Sequence, residues 1–132
     1  QKGGKAPVID VLKYGERVKK NGLNLLWGPG NDIVSTTAQT AAGANIILFT
    51  TGRGTPLGAP VPTVKIATND HLSSFKTNWI DYNAGKMLKI DPQSVTNELI
   101  ALITAIANGE KHTKNEINGY AEISLFKDGV IL

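Results

Sequence analysis

One guanidinium set among glycines and hydroxyls is the feature of this sequence most clearly shaped for chemistry: Thr50-Thr51-Gly52-Arg53-Gly54-Thr55-Pro56. Glycines let backbone amides approach a ligand closely, and the planar Arg fork matches a carboxylate or phosphate with two parallel hydrogen bonds. As a bare pattern this is an anion site. The alternative is structural, with Arg53 paired to an acidic side chain and the nearby prolines stiffening a surface loop. No Gly-Lys-Ser/Thr follows, so it is not a phosphate loop of the nucleotide-hydrolase type, and the glycine spacing is wrong for a dinucleotide fingerprint.

Gly28-Pro29-Gly30-Asn31-Asp32, with Ser35 just behind, comes second. Asn31 or Asp32 suits a helix N-cap. Asp32 also suits a hard divalent metal beside hydroxyl, amide and backbone oxygens, although one carboxylate leaves the ligand set incomplete unless other segments contribute. Lys65 reads three ways: a buried base of lowered pKa, a strand-end cation reaching the ligand of Arg53, or, most simply, a lysine solvated on a strand face. Asp81 and Asn83 either face the same edge as Arg53 or form a turn with Gly85. His71 and His112 lie far apart in polar stretches, without metal-ligand spacing, and read as surface residues. Asn115, Glu116 and Glu122 have no evident partner in the sequence.

These residues need elements to position them. Residues 1–22 read as a connecting segment ending in the Asn21-Gly22 turn, and 23–132 as a βαβ-containing core. Leu23–Trp27 has the composition of a buried strand, stopped by Gly28-Pro29-Gly30. A short helix follows, with Ile33, Val34, Thr37, Ala38, Ala41 and Ala42 on its inner face and Gly43 at its end. Asn45–Thr50 is continuously apolar, as in a parallel strand covered on both faces. Together they predict a βαβ unit, with the loops after Trp27 and Thr51 at one sheet edge.

Further strands are expected at 63–68, 79–83 and 121–126, with a helical turn at 70–76 and an Asp128-Gly129 turn near the end. Val95, Leu99, Leu102, Ile103 and Ile106 recur at helical spacing, so a helix capped by Ser94 or Thr96 should end at Asn108-Gly109. The expected fold is α/β: a Rossmann-like, mostly parallel sheet with flanking helices, forming part of a larger domain.

Composition sets outer limits. The 132 residues are 41% hydrophobic and 19% charged, in the range of one compact domain. The formal charge of +3 is spread along the chain, which argues against a nucleic-acid partner and suits a small anionic ligand. Cysteine is absent, so the segment itself offers no disulfide, thiolate catalysis or iron–sulfur ligation. No apolar run is long enough to span a bilayer, so no membrane role is expected, and a reducing cytoplasm is the default compartment. Gln1-Lys2-Gly3-Gly4 has the look of a chain entered in mid-course.

Several ordered stretches resemble the altronate and galactarate dehydratase family: Gly3-Gly4-Lys5-Ala6-Pro7-Val8, Pro29-Gly30-Asn31-Asp32 with Ser35 and Thr36, Leu48 to Pro56, Val61-Pro62-Thr63-Val64-Lys65, Trp79 to Gly85, and Asn115-Glu116 followed by Glu122-Ile123. The resemblance runs the length of the chain, and Phe126 to Leu132 is similar to the family's C-terminus. The family's full chains are several times longer, so the likeness is to the last part of one, and the remainder of that chain is an implied partner. It implies loss of water from an aldonic or aldaric acid to give a 2-keto-3-deoxy acid, with a divalent metal, usually Fe2+, with Mn2+ or Mg2+ as alternatives.

Carried onto this sequence, the resemblance makes Arg53 the clamp on developing negative charge. It gives Thr50, Thr51, Thr55 and Lys65 a substrate-binding role and Asp32 a metal or substrate role, with Asn31, Ser35, Asp81 and Asn83 as further candidates. The general base is expected from the missing part. Pro29 to Asp32 and Pro60 to Thr63 look like the altronate branch, which converts D-altronate to 2-keto-3-deoxy-D-gluconate. The broader family includes galactarate dehydratases and a sulfolactate lyase. A noncatalytic sugar-acid-binding module and a homo-oligomer are both compatible with the sequence.

Overall fold

A computed structural model describes residues 3–126, which form five strands and four α-helices. Their order is β1 (Val8–Leu12), β2 (Leu23–Leu26), α1 (Asp32–Ala42), β3 (Ile47–Thr51), β4 (Thr63–Ala67), α2 (Asp70–Phe75), β5 (Tyr82–Asn83), a 3-10 turn (Gly85–Leu88), α3 (Pro92–Ala107) and α4 (Lys114–Ile117). The expected α/β class is observed, and every strand pair is parallel.

The strands divide into two small sheets, β1-β2 and β3-β4-β5. This corrects two expectations. Val8–Leu12, inside the segment read as a connector, is a strand in register with β2, Leu12 opposite Leu26. The strands flanking α1 also do not pair with each other: β2 takes β1 as neighbour and β3 takes β4. Local patterning found strand, loop and helix but could not assign the neighbour, because pairing is decided by tertiary packing.

All five residues of β4 are buried, as befits the central strand of a parallel sheet covered on both faces. Val64 and Ile66 pack with Tyr82 of β5 and with Val95 and Ile106 of α3. Burying each such aliphatic side chain is worth about 1.5–3 kcal/mol. Tyr82 satisfies its hydroxyl by donating 2.6 Å to the Val95 carbonyl.

Helix ends follow local chemistry. Asn31 caps α1, its side-chain oxygen accepting from Val34 N at 3.1 Å, and Gly43 closes it in the left-handed region (φ 109°). The inner face of α1 carries Thr36, Thr37, Ala38 and Ala42; Ala41, expected there, is exposed. Helix α3 begins earlier than expected: Asp91 is the cap, accepting from Ser94 N at 2.8 Å, with Pro92 in the first turn, where its missing N–H costs nothing.

Two expected strands do not form as read. Trp79 and Ile80 lie before β5 in a turn-rich segment, which leaves only Tyr82–Asn83 as strand. Ala121–Phe126 has no strand neighbour among the described residues. Its alternate amides instead donate to Gly58 O (2.8 Å, from Glu122), Thr37 Oγ1 (3.1 Å, from Ser124) and Tyr14 Oη (3.2 Å, from Phe126). The alternation in the sequence is therefore real, but it tacks an extended chain across the molecule instead of building a ladder. The expected Asp128-Gly129 turn lies outside the described residues.

Candidate functional site

The loop after β2 and the loop after β3 meet, although β2 and β3 lie in different sheets and so share no sheet edge. The start of α1 (Asn31, Asp32, Ile33) and the 55–57 stretch (Thr55, Pro56, Leu57) line a cleft of about 300 Å³, with Glu122 on its wall. Ser35 faces back from α1 and donates 2.5 Å to the Pro29 carbonyl, which ties the glycine-proline turn to the helix.

The loop carrying Arg53 is held almost carbonyl by carbonyl. Asn69 Nδ2 donates to Gly52 O at 3.2 Å, Lys76 Nζ donates to Arg53 O at 2.9 Å, and Lys65 Nζ donates to Thr55 O. From the preceding strand, Thr51 Oγ1 accepts from Gly54 N at 2.9 Å. Gly54 sits at φ 77°, and a Cβ there would come within 2.9 Å of both Leu72 Cδ1 and Lys76 Cδ, so glycine is required. With its backbone so fixed, the Arg53 side chain projects outward. It is exposed, has no hydrogen-bond or ion-pair partner among the described residues, and does not line the cleft. The expected direct seat for Arg53 in the cleft is not what the chain adopts; Thr55, two residues on, occupies that wall.

Lys65 departs from its simplest reading. It is 2% exposed rather than solvated, because β4 is the central strand. Burial lowers its pKa to about 8, against the opposing pull of Asp81 and Glu122. Its ammonium holds the loop in place beneath Thr55.

Asp81 has a structural task. Its Oδ2 accepts from Lys65 N at 2.7 Å and its Oδ1 from Lys114 N at 2.8 Å, joining β4 to the start of α4. Burial raises its pKa despite those two bonds. Asn83 is likewise engaged, donating 2.7 Å to Asp70 Oδ1 and accepting from Gly85 N at 2.9 Å. It builds the turn instead of joining the cleft. Thr50 is exposed on β3. His71 and His112 are both exposed, as expected.

Residues that seemed to lack partners turn out to brace the site. Glu122 Oε2 accepts from Gly58 N at 2.8 Å while Glu122 N donates to Gly58 O at 2.8 Å. Asn115 accepts from Thr63 N at 3.0 Å and donates to Tyr120 O at 3.1 Å. Gly58 is packed so closely that a Cβ would fall 2.5 Å from Tyr120 O. Asn69 and Lys76 also escaped sequence reading, since nothing local marks a side chain destined for a carbonyl 17 or 23 positions away.

The described residues do not by themselves make a metal centre. No three His, Cys, Asp or Glu side chains among them gather around one point. Asp32 and Glu122 are the carboxylates at the cleft, and one oxygen of Glu122 is already taken by Gly58. A hard divalent ion needs about six oxygen ligands, so this set does not fit one alone.

Comparison with known proteins places this geometry. A family model described as D-galactarate/altronate dehydratase, C-terminal, matches residues 1–131. Altronate dehydratase of Escherichia coli K12 is 53% identical over the whole chain, and that of Bacillus subtilis 168 is 49% identical, with the chain covering 27% of each. The L-threo-forming galactarate dehydratase of E. coli K12 is 37% identical over 85% of the chain and 22% of its own length. The chain thus spans about a quarter of the length of these relatives, and it belongs to the D-galactarate/altronate dehydratase family, matching that family's C-terminal part.

Proposed function

We propose that the chain works as the C-terminal part of a hydro-lyase that dehydrates D-altronate to 2-keto-3-deoxy-D-gluconate. The observation that carries this reading is the 49–53% identity to two altronate dehydratases over the full chain, against 37% to a galactarate dehydratase. The reaction removes the proton on the carbon beside the carboxylate and the hydroxyl on the next carbon, together one water, and the resulting enol becomes the 2-keto acid.

Negative charge builds on the carboxylate as the proton leaves, so a cation held ready for it lowers the barrier by several kcal/mol. Arg53 is the proposed cation; its guanidinium lies outside the cleft, so in this reading it meets a carboxylate that extends beyond the cleft wall, and two features support that role. Its backbone is pinned by Asn69, Lys76 and Thr51, and its guanidinium has no competing partner among the described residues. Thr55, half-buried, and Asn31 and Asp32, both exposed, line the cleft and contact the polyol hydroxyls; Thr50 and Thr51 extend that surface, and Ser35 supports it from behind. Lys65 positions Thr55 from beneath. The general base comes from the rest of the longer chain.

The reading also places most ligands of the divalent ion, Fe2+ or else Mn2+ or Mg2+, in that remainder, with Asp32 as the one ligand offered here. Such an ion supplies Lewis-acid polarisation when bound. No helix among the described residues is long and apolar enough to cross a membrane. The proposal puts the enzyme in the cytoplasm, where ferrous iron stays reduced. The test is turnover by the full chain with ferrous ion under reducing conditions. D-altronate should be consumed with release of the 2-keto-3-deoxy acid, and galactarate far more slowly; a preference for galactarate overturns the assignment.

A further inference from the structure

Among the described residues, the β1-β2 sheet is covered on one face only. Leu12 and Leu26 lie opposite each other in register and turn toward α1, where they border a cavity of about 270 Å³ shared with Gln39 and Ala42. Their neighbours Val11 and Leu25, also paired in register, point to the other face, since successive strand residues alternate. There Val11 is 68% exposed and Leu25 49%, with Trp27 beyond the strand end at 55%. An apolar groove continues this surface, with Tyr14, Trp27 and Phe126 as its aromatic wall; their rings sit 5.4–6.4 Å apart.

Parallel sheets occur almost only with both faces covered, and an isolated two-stranded sheet is marginal in water. We propose that the Val11–Leu25–Trp27 face is an internal interface of the full-length enzyme, on which a layer from the remainder of the same polypeptide packs.

Chain length supports this occupant, because the aligned relatives have 73% of their length outside the matched segment. The alternative occupant is a second copy of the chain. A two-fold contact across this face would bury the same residues twice and would depend on protein concentration, which the labelling below separates from an internal interface. The inference rests on family membership and not on the identity of the substrate, so it survives if the substrate assignment fails.

The segment has no native cysteine, so a probe introduced into it is unique among its own peptides. In the full chain carrying Val11→Cys, maleimide labelling at that site, read by peptide mass spectrometry, should be at least about 100-fold slower natively than in denaturant, because labelling must await local opening. Lys111→Cys, exposed in the bend that follows α3, should label within a few-fold of its denatured rate. Equal native rates at the two positions overturn the proposal. So does protection of Val11→Cys that vanishes on dilution to monomer, which assigns the face to a second copy. Slow labelling independent of concentration confirms it, and slow Trp27→Cys labelling would extend the covered face to the groove.

Discussion

The two sheets of this chain are built from similar residues yet sit in opposite conditions. In β3-β4-β5 the central strand is buried along its whole length and even encloses a lysine. In β1-β2, equally aliphatic, Val11 and Leu25 are left facing outward. The difference teaches that apolar composition marks where a strand wants cover, not whether the cover lies within the same segment. The first sheet gets its cover locally, from α3 through Val95 and Ile106. The second requires it from elsewhere in the polypeptide.

The sharpest way to break this comparison is to hollow out each sheet in the full chain. Ile66→Ala in β4 should cost about 2–5 kcal/mol, since a buried aliphatic loses its transfer energy and leaves a cavity. Thermal unfolding reads that loss, and a midpoint within a degree of wild type would show that β4 is not the core. Gly58→Ala comes next. The new methyl collides with Tyr120 O and the Asn115 side chain, so about 1–3 kcal/mol should be lost, whereas Gly30→Ala meets no atom within 4 Å and should change little. Equal effects at the two glycines would mean that the Glu122–Gly58 brace is loose in solution.

Lys65 gives a pH-dependent version of the same contrast. Its folded pKa of about 8 lies below the ordinary lysine value of 10.5. The charged form is thus disfavoured in the folded state, and the resulting penalty is full below pH 8 and disappears as pH rises toward 10.5. Wild type should therefore gain about 2 kcal/mol relative to Lys65→Met between pH 7 and pH 10, by denaturant melts at each pH. Parallel pH profiles for the two proteins would show that Lys65 is hydrated after all.

Much of the frame was legible in the residues themselves. The glycine stop at Gly43, the periodicity of α3 and the apolar run of β4 each record a local physical need, and each appears where expected. The cap of α3 was misread because Ser94 and Thr96 are good capping types, while Asp91-Pro92 offers the stronger pairing of a side-chain acceptor with a residue that needs no donor. What lay beyond local reading was long-range closure. Glu122 reaches Gly58 across 64 positions, and Asn115 reaches Thr63 across 52. Such pairs leave no period in the sequence, and the same holds for Lys76 and Asn69, which fix the Arg53 loop. The two loops were expected to meet at one sheet edge; they do meet, but between two sheets, and the outward direction of Arg53 was not foreseen.

That outward guanidinium is where the functional account is most exposed to test. Steady-state kinetics of the full chain on D-altronate, comparing wild type with Arg53→Ala and Arg53→Lys, address it directly. Loss of a donor that stabilises developing charge costs about 100-fold or more in rate, with Lys restoring only part because it lacks the fork. A fall of that size in kcat/KM for Arg53→Ala, with the unfolding midpoint unchanged, is the result expected here. Wild-type kinetics in that variant would contradict the account and leave the loop a structural one.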